Sequence, residues 1–254
     1  MQHIIVAKPR PGVMLITLNR PKSLNALSKD LLVEVATALR QADADDAIRV
    51  VVLTGNERAF SAGADIKEMP TGEMPMWAEK NRLTSWKTIE KFRKPMVAAV
   101  NGWALGGGME LTMLCDIVIA GDTSKFGAPE IKIAAFAGDG GTQRLPRVVG
   151  KARAMLMGLT GDPIDAKTAG AWGLAAEVVP AAQTLDRALA IAARIAEHSP
   201  LTAQMVKAET LMAFEKPLDE SLSLERKLLL WQSEDHVEGI QAFVEKRKPR
   251  FTGR

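Results

Sequence analysis

Hydrophobic and polar positions come first in short β-like runs and later in long helical stripes. Residues 4–6 and 13–18 are β-branched-rich runs on either side of Pro11-Gly12, which predicts a hairpin. Asn19-Arg20-Pro21 breaks the second run, and Ser28 stands where a helix N-cap belongs. Leu31, Leu32, Val35, Ala38 and Leu39 then fall on one stripe of a helix ending near Arg40. Residues 50–53 form an apolar strand that stops at Thr54-Gly55. Strand, helix and strand in that order point to a layered α/β unit.

Residues 55–75 carry Gly55, Gly63, Gly72, Pro70 and Pro75 and read as a long loop. A helix is predicted over 76–92 and a strand over 96–100, followed by a turn at Asn101-Gly102-Trp103. Gly106-Gly107-Gly108 leads into an apolar helix over 109–114. A buried strand is predicted over 116–120 and a short strand and turn over 124–127. After Gly138-Asp139-Gly140-Gly141, helical periodicity returns over 149–159. A short alanine-rich piece, 166–171, is closed by Gly173, and 175–179 reads as a last strand. Helices are predicted over 184–197, 201–213, 218–232 and 235–244. No linker or tandem repeat interrupts the chain, so the helices read as an extension on an α/β core.

Composition narrows the classes. With 47% hydrophobic residues among 254, the chain can bury a core of its own. Cys115 stands alone, which excludes a disulfide scaffold. No run of about 18 uncharged apolar residues is present, so no membrane span is predicted. The first residues lack a long apolar stretch, and a cytoplasmic protein is the expectation. The net charge of +3 is modest, and the one strong basic run is Lys246-Arg247-Lys248-Pro249-Arg250. That run is either a solvated tail or a site for a small anion or a subunit contact. There is no basic-and-aromatic pattern for nucleic acid. His3, His198 and His236 have no metal-ligand partners at useful spacing, and no metal site is predicted.

Two carboxylates stand in unusual surroundings. Glu110 lies in the first turn of the apolar helix after the three glycines, and Glu130 follows Pro129. A carboxylate in an apolar segment is costly unless paired or hydrogen-bonded. Each residue has a plain alternative: Glu110 as a helix N-terminal charge, Glu130 as a turn residue. Glycines let a backbone come close to a ligand and expose its amides. A second glycine-bearing loop, Phe60-Ser61-Ala62-Gly63-Ala64-Asp65-Ile66, could supply another amide. Asp65 there is either a loop cap or a loop-shaping group, and Cys115 reads as buried packing.

Linked motifs along the whole chain resemble the enoyl-CoA hydratase/isomerase (crotonase) superfamily. They are Leu18-Asn19-Arg20-Pro21 with Asn25-Ala26-Leu27, the 60–66 loop, Lys94-Pro95, and residues 101–111 through Gly106-Gly107-Gly108-Met109-Glu110. Cys115-Asp116, Phe126-Gly127-Ala128-Pro129-Glu130, Gly140-Gly141-Thr142-Gln143-Arg144-Leu145, and Glu238-Gly239-Ile240 with Phe243 and Lys246-Arg247 complete the set.

The resemblance implies an α/β crotonase-like spiral of ββα units over 1–195 and a C-terminal helical trimerisation region over 196–254. It implies a homotrimer or a hexamer built as a dimer of trimers. It also implies an acyl-CoA thioester substrate, with coenzyme A part of that substrate and no separate cofactor. The implied reaction is reversible syn addition of water to a 2-trans-enoyl-CoA, giving a 3-hydroxyacyl-CoA, in the degradation of fatty acids or of phenylacetate and aromatic rings. Glu110 and Glu130 are then the catalytic carboxylates, the amides of Ala64 and Gly107 the oxyanion hole, and Gly138 a water-positioning residue. Lys22, Leu24, Ala26, Ala62, Asp65, Ile66, Lys67, Phe243 and Lys246 are the implied CoA-binding positions. A Δ3,Δ2-enoyl-CoA isomerase and a non-catalytic acyl-CoA-binding protein are the alternatives. The chain departs from the usual hydratase pattern at Asp139 and at Ala134 and Ala135. Asp139 is either a solvent-facing or arginine-paired loop carboxylate, or a group that alters the acyl pocket and the water network.

Overall fold

Alternation along the central strands decides how the layers stack. In β3 (Val50–Thr54), Val50 and Val52 point to one side of the sheet, and Val51 and Leu53 to the other. Both sets are buried, as expected for a parallel sheet covered on two faces. One face packs against α7 (Thr184–Ala196) through Ala188, Leu189, Ala192 and Ala196. The other packs against α1 (Lys29–Ala44) and the rest of the main core. The computed structural model describes residues 1–68, 80–225 and 230–254.

The larger sheet runs β1 (Ile4–Arg10), β2 (Val13–Leu18), β3, β5 (Met96–Val100), β7 (Ile117–Gly121) and β10 (Glu177–Val179) in that spatial order. β1 and β2 form the expected antiparallel hairpin, and the remaining neighbours pair in parallel. β4 (Ala59–Ser61), β6 (Trp103–Leu105), β8 (Lys125–Gly127) and β9 (Ile164–Asp165) form a second sheet. Successive turns of chain therefore give one strand to each sheet, as in a spiral of ββα units. Ser28 caps α1 as predicted, its Oγ accepting from the Leu31 amide at 3.3 Å. α2 (Lys80–Glu90) packs against α1.

Several boundaries differ from the sequence reading. The stretch 55–75, read as loop, contains β4, and Trp103, read as turn, opens β6. Positions 69–75 of that loop and 76–79 of the helix predicted over 76–92 lie outside the described residues. The helix predicted over 149–159 is α5 (Lys151–Thr160), and a helix that the sequence reading left out, α4 (Gly141–Val149), precedes it. They break at Gly150, whose φ of 84° no right-handed helix accommodates. α6 (Ala166–Trp172) ends at Gly173 as expected. α8 (Pro200–Met212) and α10 (Glu234–Val244) match their predicted spans closely. The helix expected over 218–232 appears as α9 (Leu218–Glu225) and a 3-10 turn at Leu230–Gln232, with 226–229 outside the described residues. Cys115 is buried, bonds the Leu111 carbonyl, and has its thiol pushed up to about 12 by burial. No helix among the described residues is long and apolar enough to cross a membrane.

Candidate active site

α3 (Gly107–Met113) starts straight after β6, with Gly106 as its N-cap residue at φ 51°. A Cβ on Gly106 would stand 2.7 Å from Glu130 Oε1, so only a glycine leaves that carboxylate its place. A Cβ on Gly107 would lie 3.8 Å from Glu110 Oε2 and 3.6 Å from the Ala64 amide nitrogen. The Cβ position of Gly63 is in turn 3.3 Å from the Gly107 nitrogen. Glu110, Glu130, Ala64 and Gly107 are therefore gathered around one pair of glycines. Gly107 opens α3, so its amide has no carbonyl within the helix to bond.

Glu110 is 2% exposed, and its Oε1 accepts the Gly141 amide at 2.7 Å. Burial, and after it the charge of Asp139, push its carboxyl up to about 8, against the pull of the Gly141 amide. Glu130 sits in the 3-10 turn Pro129–Ile133, and its Oε2 is buried without a hydrogen-bond partner among the described residues. Burial raises its pKa as well. A carboxyl deprived of water and partners favours its protonated form. Two such groups side by side can take a proton from water and give one to carbon. The two amides can stabilise an oxygen that gains negative charge.

Residues 9–254 match the profile of the enoyl-CoA hydratase/isomerase family. A probable enoyl-CoA hydratase of Rhizobium meliloti is 48% identical over 252 residues, covering 98% of each chain. The 2,3-dehydroadipyl-CoA hydratase of Escherichia coli is 44% identical over 256 aligned residues, covering 100% of both. Among solved structures, an enoyl-CoA hydratase from Bacillus anthracis superposes with a TM-score of 0.93 at 37% identity, over 100% of both chains. The chain belongs to the enoyl-CoA hydratase/isomerase family. It is an enzyme, and its fold is the crotonase fold.

Two of the crotonase motifs, 20–27 and 60–66, lie against each other. Ala62 donates its amide to the Leu24 carbonyl at 2.9 Å, and Leu27 donates to the Gly63 carbonyl at 2.7 Å. Arg20 pairs with Asp65 at 2.9 Å and donates to the Ala26 carbonyl at 2.6 Å. Leu24 and Asn25 both hold left-handed φ values, 49° and 56°, a strained pair kept in place by these bonds. Leu24, Ala26, Ala62 and Asp65 are thus brought together, with Lys22, Ile66 and Lys67 exposed on the same two segments. Phe243 and Lys246 are exposed on and just after α10, outside this set of bonds.

Gly138 is also exposed, and the loop amides that reach Glu110 belong to Asp139 and Gly141. A mostly apolar pocket of about 480 Å³ opens beside the carboxylates, lined by Glu130, Phe136, Ala137, Gly141, Leu145 and Leu159 among others. A wider hollow of about 830 Å³ lies between α10 and the 247–252 tail, and neither glutamate lines it.

Two arginines shape this region. Arg20 and its partner Asp65 both lie in quoted motifs, though their pairing across the two was not foreseen. Arg82 lies in none, and it forms an ion pair with Asp139 in a buried setting.

Proposed function

We propose that this chain is an enoyl-CoA hydratase, a hydro-lyase that adds water reversibly and syn across the C2–C3 double bond of a 2-trans-enoyl-CoA. One observation carries the reading: a buried and a half-buried carboxyl, both with raised pKa values, flank a single glycine pair that also brings two backbone amides together. The amides of Ala64 and Gly107 hold the thioester oxygen and stabilise the charge it gains as water adds. Glu110, fixed by the Gly141 amide, orients the water whose oxygen bonds C3. Glu130 delivers a proton to C2 and recovers one from the water, so one proton resides on the pair before and after the cycle.

The acyl chain enters the 480 Å³ pocket, whose lining suits an aliphatic or aromatic group. The name of the Escherichia coli relative supports including a carboxylate-bearing acyl group of the 2,3-dehydroadipyl kind among the substrates, alongside short straight-chain enoyl groups. Degradation of fatty acids or of phenylacetate and aromatic rings would use this step. CoA lies over segments 20–26 and 62–67, with Lys22 and Lys67 as partners for its phosphates. The segment 196–254 serves assembly into trimers or hexamers, with Phe243 and Lys246 reaching a neighbouring subunit's CoA. The exposed Val237, Ile240, Phe243 and Val244 of α10 support that role.

The test is an assay of purified protein with a panel of 2-enoyl-CoAs and 3-enoyl-CoAs. Loss of the conjugated-thioester absorbance with 3-hydroxyacyl-CoA as product is expected. Conversion only between double-bond isomers would replace the reading with an isomerase. Glu110→Gln and Glu130→Gln should each lower kcat about 100-fold or more. Near-normal hydration by either variant contradicts the two-carboxylate mechanism.

A further inference from the structure

Arg82, on α2, is 4% exposed, and its Nε and Nη1 are buried without an acceptor among the described residues. Its Nη2 pairs with Asp139 Oδ2, while its Cζ lies 5.6 Å from the centre of the Trp86 ring one turn further along the helix. Asp139 is thus its hydrogen-bonded anchor among the described residues. The backbone of the same aspartate faces the candidate site. The Gly141 amide donates to Glu110 at 2.7 Å, and the Asp139 backbone favours the same carboxylate. Arg144 of α4 holds the loop from its other side. It donates to the Asp139 carbonyl at 3.1 Å and pairs with Glu90 of α2. The 138–141 loop is therefore stapled twice to α2.

We propose that Arg82 and Asp139 are a positioning pair for the reaction: their ion pair holds the 138–141 loop so that its amides grip Glu110, and it sets one negative charge beside the two glutamates. This rests on the reading of Glu110 and Glu130 as the proton-transfer pair of a hydratase. The groups facing Glu110 are the carboxylates of Asp139 and Glu130, which oppose its ionisation, and the amides of Gly141 and Asp139, which favour it. Burial raises the pKa of Asp139, and the charged groups that oppose this and favour its ionised form are Arg82 from α2 and Arg144 from α4. A neighbouring negative charge keeps a proton on a carboxyl. Water addition needs one proton on the glutamate pair, so activity falls at high pH when that proton is lost. With the charge of Asp139 removed, the proton leaves at lower pH.

The experiment follows hydration of crotonyl-CoA by the full chain across pH, for the wild type, Asp139→Asn, Arg82→Lys and the double variant Arg82→Met/Asp139→Asn. Asp139→Asn should move the basic limb of kcat down by roughly one pH unit. Its kcat should fall up to about 100-fold, with KM close to wild type, because the pair does not touch CoA. The double variant removes both charges together, which a buried site tolerates better than one unpaired ion. It should show a smaller shift of the limb in the same direction even if Asp139→Asn alone fails to fold. Arg82→Lys should keep the wild-type limb. A basic limb unchanged in both the single and the double variant would overturn the proposal, whatever happens to Tm. A wild-type protein inert on every enoyl-CoA would instead overturn the hydratase reading, and this inference with it.

Discussion

Gly141 shows how tightly the site is packed at the level of single residues. Its amide grips Glu110 Oε1, and a Cβ at that position would come within 2.8 Å of the same oxygen. The held carboxyl titrates near 8 in the fold, against an ordinary value of 4.5. Between those two values the folded chain binds a proton that the unfolded chain releases, so stability falls as pH rises through that window. Glu110→Gln keeps an acceptor for Gly141 and cannot ionise. It should be more stable than the wild type by about 4 kcal/mol at pH 8, a gain that shrinks towards pH 4.5. Thermal unfolding at both pH values checks this, and an equal Tm difference at both would contradict it. Glu110 and Glu130 could be singled out in the sequence because acidic residues stood beside glycines and a proline in apolar stretches. Arg82 could not, because its partner is 57 positions away and its neighbours Asn81 and Leu83 give no local pattern of burial.

At the level of elements, a buried lysine ties α1 to β5. Lys94 is 5% exposed and donates to the carbonyls of Ala42, Asp45 and Ile48 at 2.7, 2.9 and 2.8 Å. It closes the C-terminal end of α1 just before β5 begins, where a cation suits the helix dipole. Lys94→Met should cost about 3 kcal/mol by leaving buried carbonyls without a donor, as a denaturant titration would show. A loss within experimental error would mean that water replaces the ammonium.

Elements with long, periodic patterns were legible: the β1–β2 hairpin, α1, β5 and α10 fall where the alternation and stripes placed them. β4 and β6 were not, because three-residue strands such as Ala59–Ser61 are too short to display a period. α4 was missed for a different reason: Gly140 and Gly141 at its start and Pro146 inside it read as loop, although Gly141, Leu145 and Val149 are its buried positions.

At the scale of the molecule, the outer face of α10 supports the proposed trimer. Phe243 is 84% exposed beside other apolar residues of the same helix. Phe243→Asp should shift sedimentation from the assembled species towards monomers, and unchanged sedimentation would remove α10 from the interface.

The strand order of the larger sheet carries one more consequence, for how the chain is made. Its strands lie in space in the order in which they leave the ribosome, so the sheet grows at one edge. During synthesis the newest strand is always the open one. Once β7, with its Ile117-Val118-Ile119 run, has emerged, its free edge waits for β10 for several seconds at about 5–20 residues per second. That interval is when a nascent chain is most exposed to pairing with a neighbouring polysome product. Chaperone demand during translation should therefore peak after β7 and fall once the short β10 has covered its edge.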